Sequence, residues 1–176
     1  IYATFMKEAA AVGLEVVYEG TFVDADTDFT VQLTAAQAAG ADVVFLPIYY
    51  KHAPFLLNQA KTMEYTPIFF GVDGMDGILA QEGFDASIAE GAYLLTPFSA
   101  TLDDAGVQHF VSAYKEKFGS TPNQFAADAY DVIYFFAQAI EAGNITPDMS
   151  NADICAAMVS QALSTSFTGV TGGSKW

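Results

Sequence analysis

The sequence predicts an α/β protein of three layers, α/β/α, built around a mainly parallel sheet. Strand-like apolar runs alternate with helix-like segments along the chain, which is the pattern of parallel strands joined by crossover helices. The strand-like runs are almost continuously apolar, as expected of strands that are covered on both faces. No internal repeat or low-complexity segment interrupts the alternation, and we expect right-handed crossovers.

Before the centre of the chain, the pattern predicts a helix, a strand and a second helix. Their ranges are 1–12, 14–23 and 30–39. Gly13 stands where glycine commonly ends a helix. Thr27 or Asp28 is expected to cap the second helix, because side-chain oxygens accept hydrogen bonds from the first free N–H groups of a helix.

The centre of the chain, residues 42–74, is interpreted as one strand–helix–strand unit. Residues 42–48 are rich in β-branched and aromatic residues, residues 54–63 carry apolar residues at helical spacing, and residues 67–71 form a second apolar run. The whole segment has about the length that a parallel crossover needs.

The second half of the chain continues the alternation. The expected elements are a short helix 75–82, a strand 91–97, helices 103–118, 124–142 and 152–163, and a strand that starts within 167–170. The helix 124–142 is strongly apolar, so we expect it to be largely buried. Ser150 or Asn151 is expected to cap the last helix.

Three residues follow the two central strands, and we call them the rim: Tyr49, Tyr50 and Asp73. Ligands of parallel α/β sheets gather outside the carboxyl ends of the strands. A carboxylate bonds a cation and tyrosine rings cover apolar groups, so the rim suits a small molecule with an ammonium group and an apolar body. The alternative is that the tyrosines are surface residues and that Asp73 only forms a turn beside Gly74.

The charge of the chain excludes several classes of partner. It carries 21 acidic residues, six lysines and no arginine, for a net charge of −15. Such a surface repels phosphate backbones and anionic lipid, which argues against nucleic-acid binding and membrane adhesion. Without arginine, no guanidinium can grip a ligand carboxylate, so another part of the molecule must hold an anionic end.

Motifs for catalysis or metal binding are absent from the sequence. There is no nucleophile elbow, P-loop, zinc-protease or dinucleotide motif. His52 is either an acid–base group near the rim or a solvated helix start, and the pattern favours the second. Asp24, Asp26 and Asp28 resemble part of a calcium loop but lack its glycine and distal glutamate, so we interpret them as a solvated turn.

The single cysteine, Cys155, permits no internal disulfide, and with two distant histidines it builds no zinc site. We expect Cys155 to be a buried, small apolar residue. The sequence therefore predicts no cofactor, no metal and no enzymatic activity. The chain opens within a helix and stops just after FTGVTGG, so we also expect it to be one lobe, residues 1–176, of a longer protein, truncated at both ends.

Several phrases, in order and spacing, give the chain a resemblance to a known family. They are DTDFTVQLTAAQAAGADVVFLPIYY, LLNQAK, FFGVDG, EGAYLLTPFS, FVSAYKEKFGSTPNQFAADAYDVIYFFAQAI and FTGVTG. Together they cover nearly the whole chain. The combination resembles the type I periplasmic binding proteins of the branched-chain amino acid class, and within them the second, carboxyl-side lobe.

The resemblance implies roles for individual residues. Tyr49 matches the position whose ring borders the ligand, and Asp73 matches the acidic position, often glutamate in the family, that binds the ligand's α-ammonium group. Phe125 matches an aromatic position near the ligand side chain. The other expected neighbours are Tyr50, His52 and Met75.

The resemblance also implies a function. It points to the extracytoplasmic solute-binding component of an ABC importer, in the periplasm or as a cell-surface lipoprotein of a Gram-positive organism. The ligand is expected to be an amino acid or an analogue, enclosed between this lobe and a missing first lobe of the same chain, and the partner is expected to be the membrane permease. The same fold also serves as a ligand-sensing domain in receptors and transcription regulators. An enzyme is the third alternative, which a metal or cofactor near His52 and Asp76 would favour.

Overall fold

The computed structural model describes residues 1–174, and the chain divides into two compact units, Ile1–Thr96 and Pro97–Trp176. The expected fold class is confirmed, since helices alternate with strands and the main sheet is parallel.

The first unit contains three helices and a three-stranded sheet. These elements are α1 (Tyr2–Ala11), α2 (Thr30–Ala38), β1 (Val43–Leu46), α3 (Ala53–Thr62), β2 (Ile68–Gly71) and β3 (Tyr93–Leu94). Three short 3₁₀ turns lie between β2 and β3, at Asp73–Met75, Ile78–Ala80 and Ala86–Ala89. The predicted central unit is therefore confirmed as β1–α3–β2.

The strands follow one another in the order β1–β2–β3, and both pairings are parallel. The register of the first pair runs from Val43 opposite Ile68 to Leu46 opposite Gly71. Because parallel strands point the same way, the carboxyl ends of β1 and β2 lie side by side at one edge of the sheet.

Helices cover β1 on both faces. Leu46 and Phe69 are buried in a core that also contains Leu33 of α2 and Leu57 of α3. Neighbouring strand residues point to opposite faces, and the ring of Phe45 stacks on Phe5 of α1, with ring centroids 4.2 Å apart. This two-sided cover is why the β1 sequence is apolar without alternation.

The predicted strand over residues 14–23 is wrong. The segment is not part of a ladder, and hydrogen bonds from side chains outside it bind its backbone and side chains instead. The Gln32 amide donates to the Thr21 carbonyl at 3.0 Å, and the Tyr2 hydroxyl bonds the Glu19 carboxylate. The segment has the composition of a strand but is irregular, because a strand also needs a neighbouring strand with which to form hydrogen bonds.

The predicted helix over residues 75–82 is also wrong, because two 3₁₀ turns take its place. Gly77 lies between them with a φ of 99°, a left-handed conformation that breaks a helical run. The preceding residue, Asp76, is extended, with a ψ of 132°.

Up to residue 174, the second unit contains three helices and a hairpin. They are α4 (Ala105–Phe118), α5 (Gln124–Ala142), α6 (Asn151–Ser164), β4 (Phe167–Gly169) and β5 (Gly172–Ser174), with β4 and β5 antiparallel. Asp104, Asn123 and Ser150 each accept a hydrogen bond from the first turn of the helix that they cap. The predicted cap Ser150 is confirmed.

The expectation that α5 is largely buried is wrong. Its buried residues form one stripe along the helix: Gln124, Ala127, Asp131 and Ala139. The hairpin strand β4 and the helix α6 pack against α5. Its other faces are exposed and carry large apolar side chains, at Val132, Ile133, Tyr134, Phe136 and Ile140.

The expectation that Cys155 is buried is also wrong. Cys155 lies on α6 and is exposed, and none of the α6 residues is buried. Among the helices of residues 1–174, none is both long enough and apolar enough to cross a membrane.

Candidate functional site

Two of the three rim residues stand directly beyond paired strand ends. Leu46, the last residue of β1, pairs with Gly71, the last residue of β2. Tyr49 lies three residues after Leu46, and Asp73 lies two residues after Gly71. The sheet register therefore brings the two chain segments that carry Tyr49 and Asp73 to the same edge.

A backbone hydrogen bond ties these two segments together. The N–H of Tyr50 donates to the carbonyl oxygen of Gly74 at 2.8 Å. A methyl group on Gly74 would lie 2.7 Å from the Ile48 carbonyl oxygen and 3.4 Å from Cδ1 of Tyr49. The Tyr49 ring thus lies against Gly74, next to Asp73, and a side chain at position 74 would force the two segments apart.

Tyr49 and Asp73 are both accessible. Tyr49 is 61% exposed, and Asp73 is exposed at the start of the first 3₁₀ turn. Among residues 1–174, no hydrogen-bond or ion-pair partner holds the Asp73 carboxylate. The rim therefore offers an aromatic ring and an uncompensated negative charge to an incoming molecule.

The other two predicted site residues of this unit lie deeper. Tyr50 is half-buried and packs against the core. Met75 is only 3% exposed, and its sulfur would lie 2.3 Å from a methyl group on Gly71. Met75 thus packs tightly over the end of β2 and supports the rim from the core side.

Phe125 belongs to the second unit. It is the second residue of α5, after the cap Asn123, and its side chain is half-buried. The prediction that Phe125 borders the ligand stays a prediction.

The surroundings of the rim add little positive charge. The ammonium group of Lys51 lies 2.5 Å from the Asp24 carboxylate. This contact lowers the pKa of Asp24, first through the hydrogen bond and then through the charge of Lys51. Lys51, the lysine next to the two tyrosines in sequence, therefore has a carboxylate partner of its own.

The expectation that His52 is solvated is wrong. His52 does start α3, as predicted, but its side chain is 5% exposed. Its ring packs edge-on against Phe22 and Phe29, with centroids 5.1 and 6.4 Å away. Nothing in the sequence pattern around His52 distinguishes a solvated helix start from this buried one.

Residues 1–174 contain no group of three or more His, Cys, Asp or Glu side chains that could hold a metal ion. The three aspartates Asp24, Asp26 and Asp28 are thus not such a group. In this turn, the Asp26 carboxylate accepts a hydrogen bond from the Val23 N–H at 2.8 Å.

Sequence reasoning missed one residue that shapes the rim, Gly74. Gly74 lies three residues after the end of β2, and a glycine at such a place can mark the close approach of another backbone as well as a turn. The close contact of Gly74 with the Ile48 carbonyl depends on how β1 and β2 are aligned in the sheet, and this alignment cannot be read from the sequence.

The family match and the relatives of this chain both point to periplasmic binding proteins. Residues 1–176 match the family described as periplasmic binding protein. A Leu/Ile/Val-binding protein homolog of Brucella abortus is 34% identical over 126 residues, which is 68% of this chain and 30% of that protein.

Solved structures extend the likeness to the fold. A branched-chain amino acid transporter substrate-binding protein from Streptococcus pneumoniae, in complex with isoleucine, is 30% identical with a TM-score of 0.78. The similarity covers 99% of this chain and 49% of that protein. A leucine-binding protein from Thermotoga maritima is 24% identical with a TM-score of 0.80, over 97% of this chain and 47% of that protein, and supports the fold alone.

The chain thus spans about half the length of these solved structures. The matched proteins are named as binding proteins, which agrees with the expectation that the chain is not an enzyme. The chain belongs to the periplasmic binding protein family, in the type I class of the branched-chain amino acid binding proteins.

Proposed function

We propose that this chain is one lobe of an extracytoplasmic solute-binding protein that serves an ABC importer, and that its ligand is an amino acid or a close analogue. The rim binds the ammonium end of the ligand. A second lobe of the same protein holds the carboxylate end, and the two lobes close on the ligand by a hinge motion that the membrane permease recognises.

One observation supports this proposal: the chain segments that carry Tyr49 and Asp73 lie side by side at one edge of a parallel sheet, joined by the hydrogen bond from the Tyr50 N–H to the Gly74 carbonyl. The ring of Tyr49 lies against Gly74, and the neighbouring carboxylate of Asp73 is exposed and has no partner among residues 1–174. An ammonium group is a strong hydrogen-bond donor for such a carboxylate. The aromatic face beside it attracts the same cation and covers the apolar body.

The charge of the chain supports an ammonium ligand over an anionic one. The chain has no arginine, and Lys51 is paired with Asp24. Among residues 1–174, the lysine next to Tyr49 and Tyr50 in sequence is thus already paired and is not free to bind a ligand carboxylate. A zwitterionic amino acid fits if its carboxylate is bound by the other lobe.

The remaining site residues have supporting roles in this proposal. Met75 supports the rim from the core of the first unit, and Tyr50 is the half-buried rim residue that packs against this core. The names of the relatives, a Leu/Ile/Val-binding protein homolog and a branched-chain amino acid transporter substrate-binding protein, support an apolar amino acid as the first candidate.

A thermal-shift screen of the full-length parent protein tests this function. The ligands are the twenty amino acids, together with simple carboxylates and simple amines that each keep one end of an amino acid. A ligand at 100 times its Kd stabilises the folded state by about 2.7 kcal/mol, which a melting curve resolves. We expect stabilisation by apolar amino acids and less by either half-molecule. A protein stabilised by none of the amino acids would contradict the proposal.

A further inference from the structure

His52 is buried although it lies three residues from the exposed Tyr49. Its ring, 5% exposed, occupies the space between the start of α3 and residues 22–29, where it contacts Phe22 and Phe29 edge-on. Burying an imidazole costs free energy unless its polar atoms are bound. The contacts of its two nitrogens therefore indicate what the residue does.

One ring nitrogen holds a backbone group. Nε2 of His52 lies 3.0 Å from the carbonyl oxygen of Asp24, and a carbonyl only accepts, so Nε2 carries the proton and donates it. Nδ1 is buried and has no hydrogen-bond partner among residues 1–174. The bond to Asp24 is therefore the one hydrogen bond that the ring makes among residues 1–174.

A second side chain of α3 holds the same segment seven residues later. The Gln59 amide donates to the Thr27 carbonyl at 2.7 Å, and its oxygen accepts from the Phe29 N–H at 2.7 Å. Residues spaced by seven lie on one face of a helix. His52 and Gln59 thus fasten residues 24–29, which belong to no sheet, along one face of α3.

His52 differs from Gln59 because it also closes the turn that carries the rim tyrosines. The His52 N–H donates to the Tyr49 carbonyl at 3.1 Å, and the Tyr50 N–H within this turn donates to Gly74. The ring and the backbone N–H of His52 therefore connect Asp24 to the turn of Tyr49 and Tyr50, whereas the side-chain bonds of Gln59 go to Thr27 and Phe29.

We propose that His52 is a positioning residue of the rim: the bond from its ring to Asp24 anchors the turn on which Tyr49 and Tyr50 are presented to the ligand. This inference rests on the proposed function. The positioning role of His52 depends on the hydrogen-bond donor at Nε2 and not only on the volume of the ring, because the anchor is a bond to a backbone carbonyl.

The test uses the full-length parent protein with three substitutions. His52→Leu removes the donor, and His52→Gln retains a donor at a similar reach and serves as the conservative rescue. Gln59→Leu is the matched control, since it loosens the same segment from the same helix face without touching the turn. The measurements are hydrogen exchange of the Tyr50 and His52 amides, and calorimetric titration with L-isoleucine as the probe.

We expect His52→Leu to speed exchange of both amides about tenfold and to weaken isoleucine binding about tenfold. His52→Gln is expected to restore both values to within about threefold of wild type, and Gln59→Leu to leave both within about twofold. Unchanged exchange in His52→Leu would overturn the anchor. Faster exchange with unchanged isoleucine binding would overturn the positioning role.

A failure of the proposed function gives a different result. If the wild-type protein binds neither isoleucine nor any other amino acid, the ligand proposal fails. The exchange of the Tyr50 and His52 amides in His52→Leu and His52→Gln still decides whether the ring anchors the turn.

Discussion

The N–H of Tyr50 donates a 2.8 Å hydrogen bond to the carbonyl oxygen of Gly74, so the chain segments that follow β1 and β2 are held together. The contact is close because position 74 has no side chain. A methyl group there would stand 2.7 Å from the Ile48 carbonyl oxygen, and neither the backbone of Ile48 nor that of Gly74 can yield without disturbing this bond.

Gly74→Ala is therefore expected to destabilise the protein by about 1–3 kcal/mol, the usual cost of forcing an extra methyl into a packed site. Urea unfolding measures this change. Gly173→Ala is the control, because a methyl group at position 173 would approach other atoms no closer than 3.7 Å. Equal stabilities of the two variants would show that the close contact at Gly74 is unimportant.

Asp131 of α5 holds the β4–β5 hairpin through its buried carboxylate. The side chain is 7% exposed and accepts hydrogen bonds from the Val170 and Thr171 N–H groups, each at 2.9 Å, and from the Thr171 hydroxyl at 2.6 Å. Gly169 permits this approach, since a methyl group there would lie 2.3 Å from the carboxyl atoms.

We expect Asp131→Asn to destabilise the protein by about 1–3 kcal/mol, because an amide offers only one acceptor oxygen and leaves a buried donor unpaired. Chemical denaturation gives the free energy, and hydrogen exchange at Val170 and Thr171 locates the change. Glu141→Gln serves as the comparison, since Glu141 is an exposed residue of the same helix. Slow exchange at both amides in Asp131→Asn would contradict the role assigned to the carboxylate.

The Asp28 carboxylate makes the stability of the start of α2 dependent on pH. Its carboxylate accepts from the Thr30 hydroxyl at 2.6 Å and from the Thr30 N–H at 3.0 Å, and these bonds lower its pKa below the usual value of 3.8. A carboxyl group with a lowered folded-state pKa stabilises the fold above its unfolded pKa, and this stabilisation disappears as the pH falls through the folded value.

The difference in unfolding free energy between wild type and Asp28→Ala should therefore be constant above about pH 5 and shrink below about pH 4. Urea titrations at a series of pH values measure it. A difference that does not change down to about pH 2 would mean that the ionised carboxylate contributes nothing at this helix start.

Local sequence pattern predicted most of the elements. β1, α3 and β2 lie close to their expected ranges, because each has a clear period and clear end signals. The pairing of β1 with β2 also followed, since a crossover of this length joins parallel neighbours. The proximity of the chain segments that carry Tyr49 and Asp73 is a direct consequence of that pairing.

The errors arose where the outcome depends on distant contacts. Residues 14–23 have strand composition but no ladder, and their backbone is bound by side chains that come later in the chain. His52 is buried because Phe22 and Phe29 pack around it, and Cys155 is exposed although cysteine is commonly buried. Periodicity within one helix carries no information on such partners.

The central claim is that Asp73 binds the ammonium group of an amino acid. Calorimetric titration of the full-length protein with the amino acid that stabilises it most, compared with Asp73→Ala and with the exposed-residue control Glu82→Gln, tests it most directly. The proposed closure of two lobes would remove the charge pair from water, so we predict that Asp73→Ala weakens binding by about 2–5 kcal/mol. The control should bind as wild type does. Equal affinities of Asp73→Ala and wild type would contradict the claim.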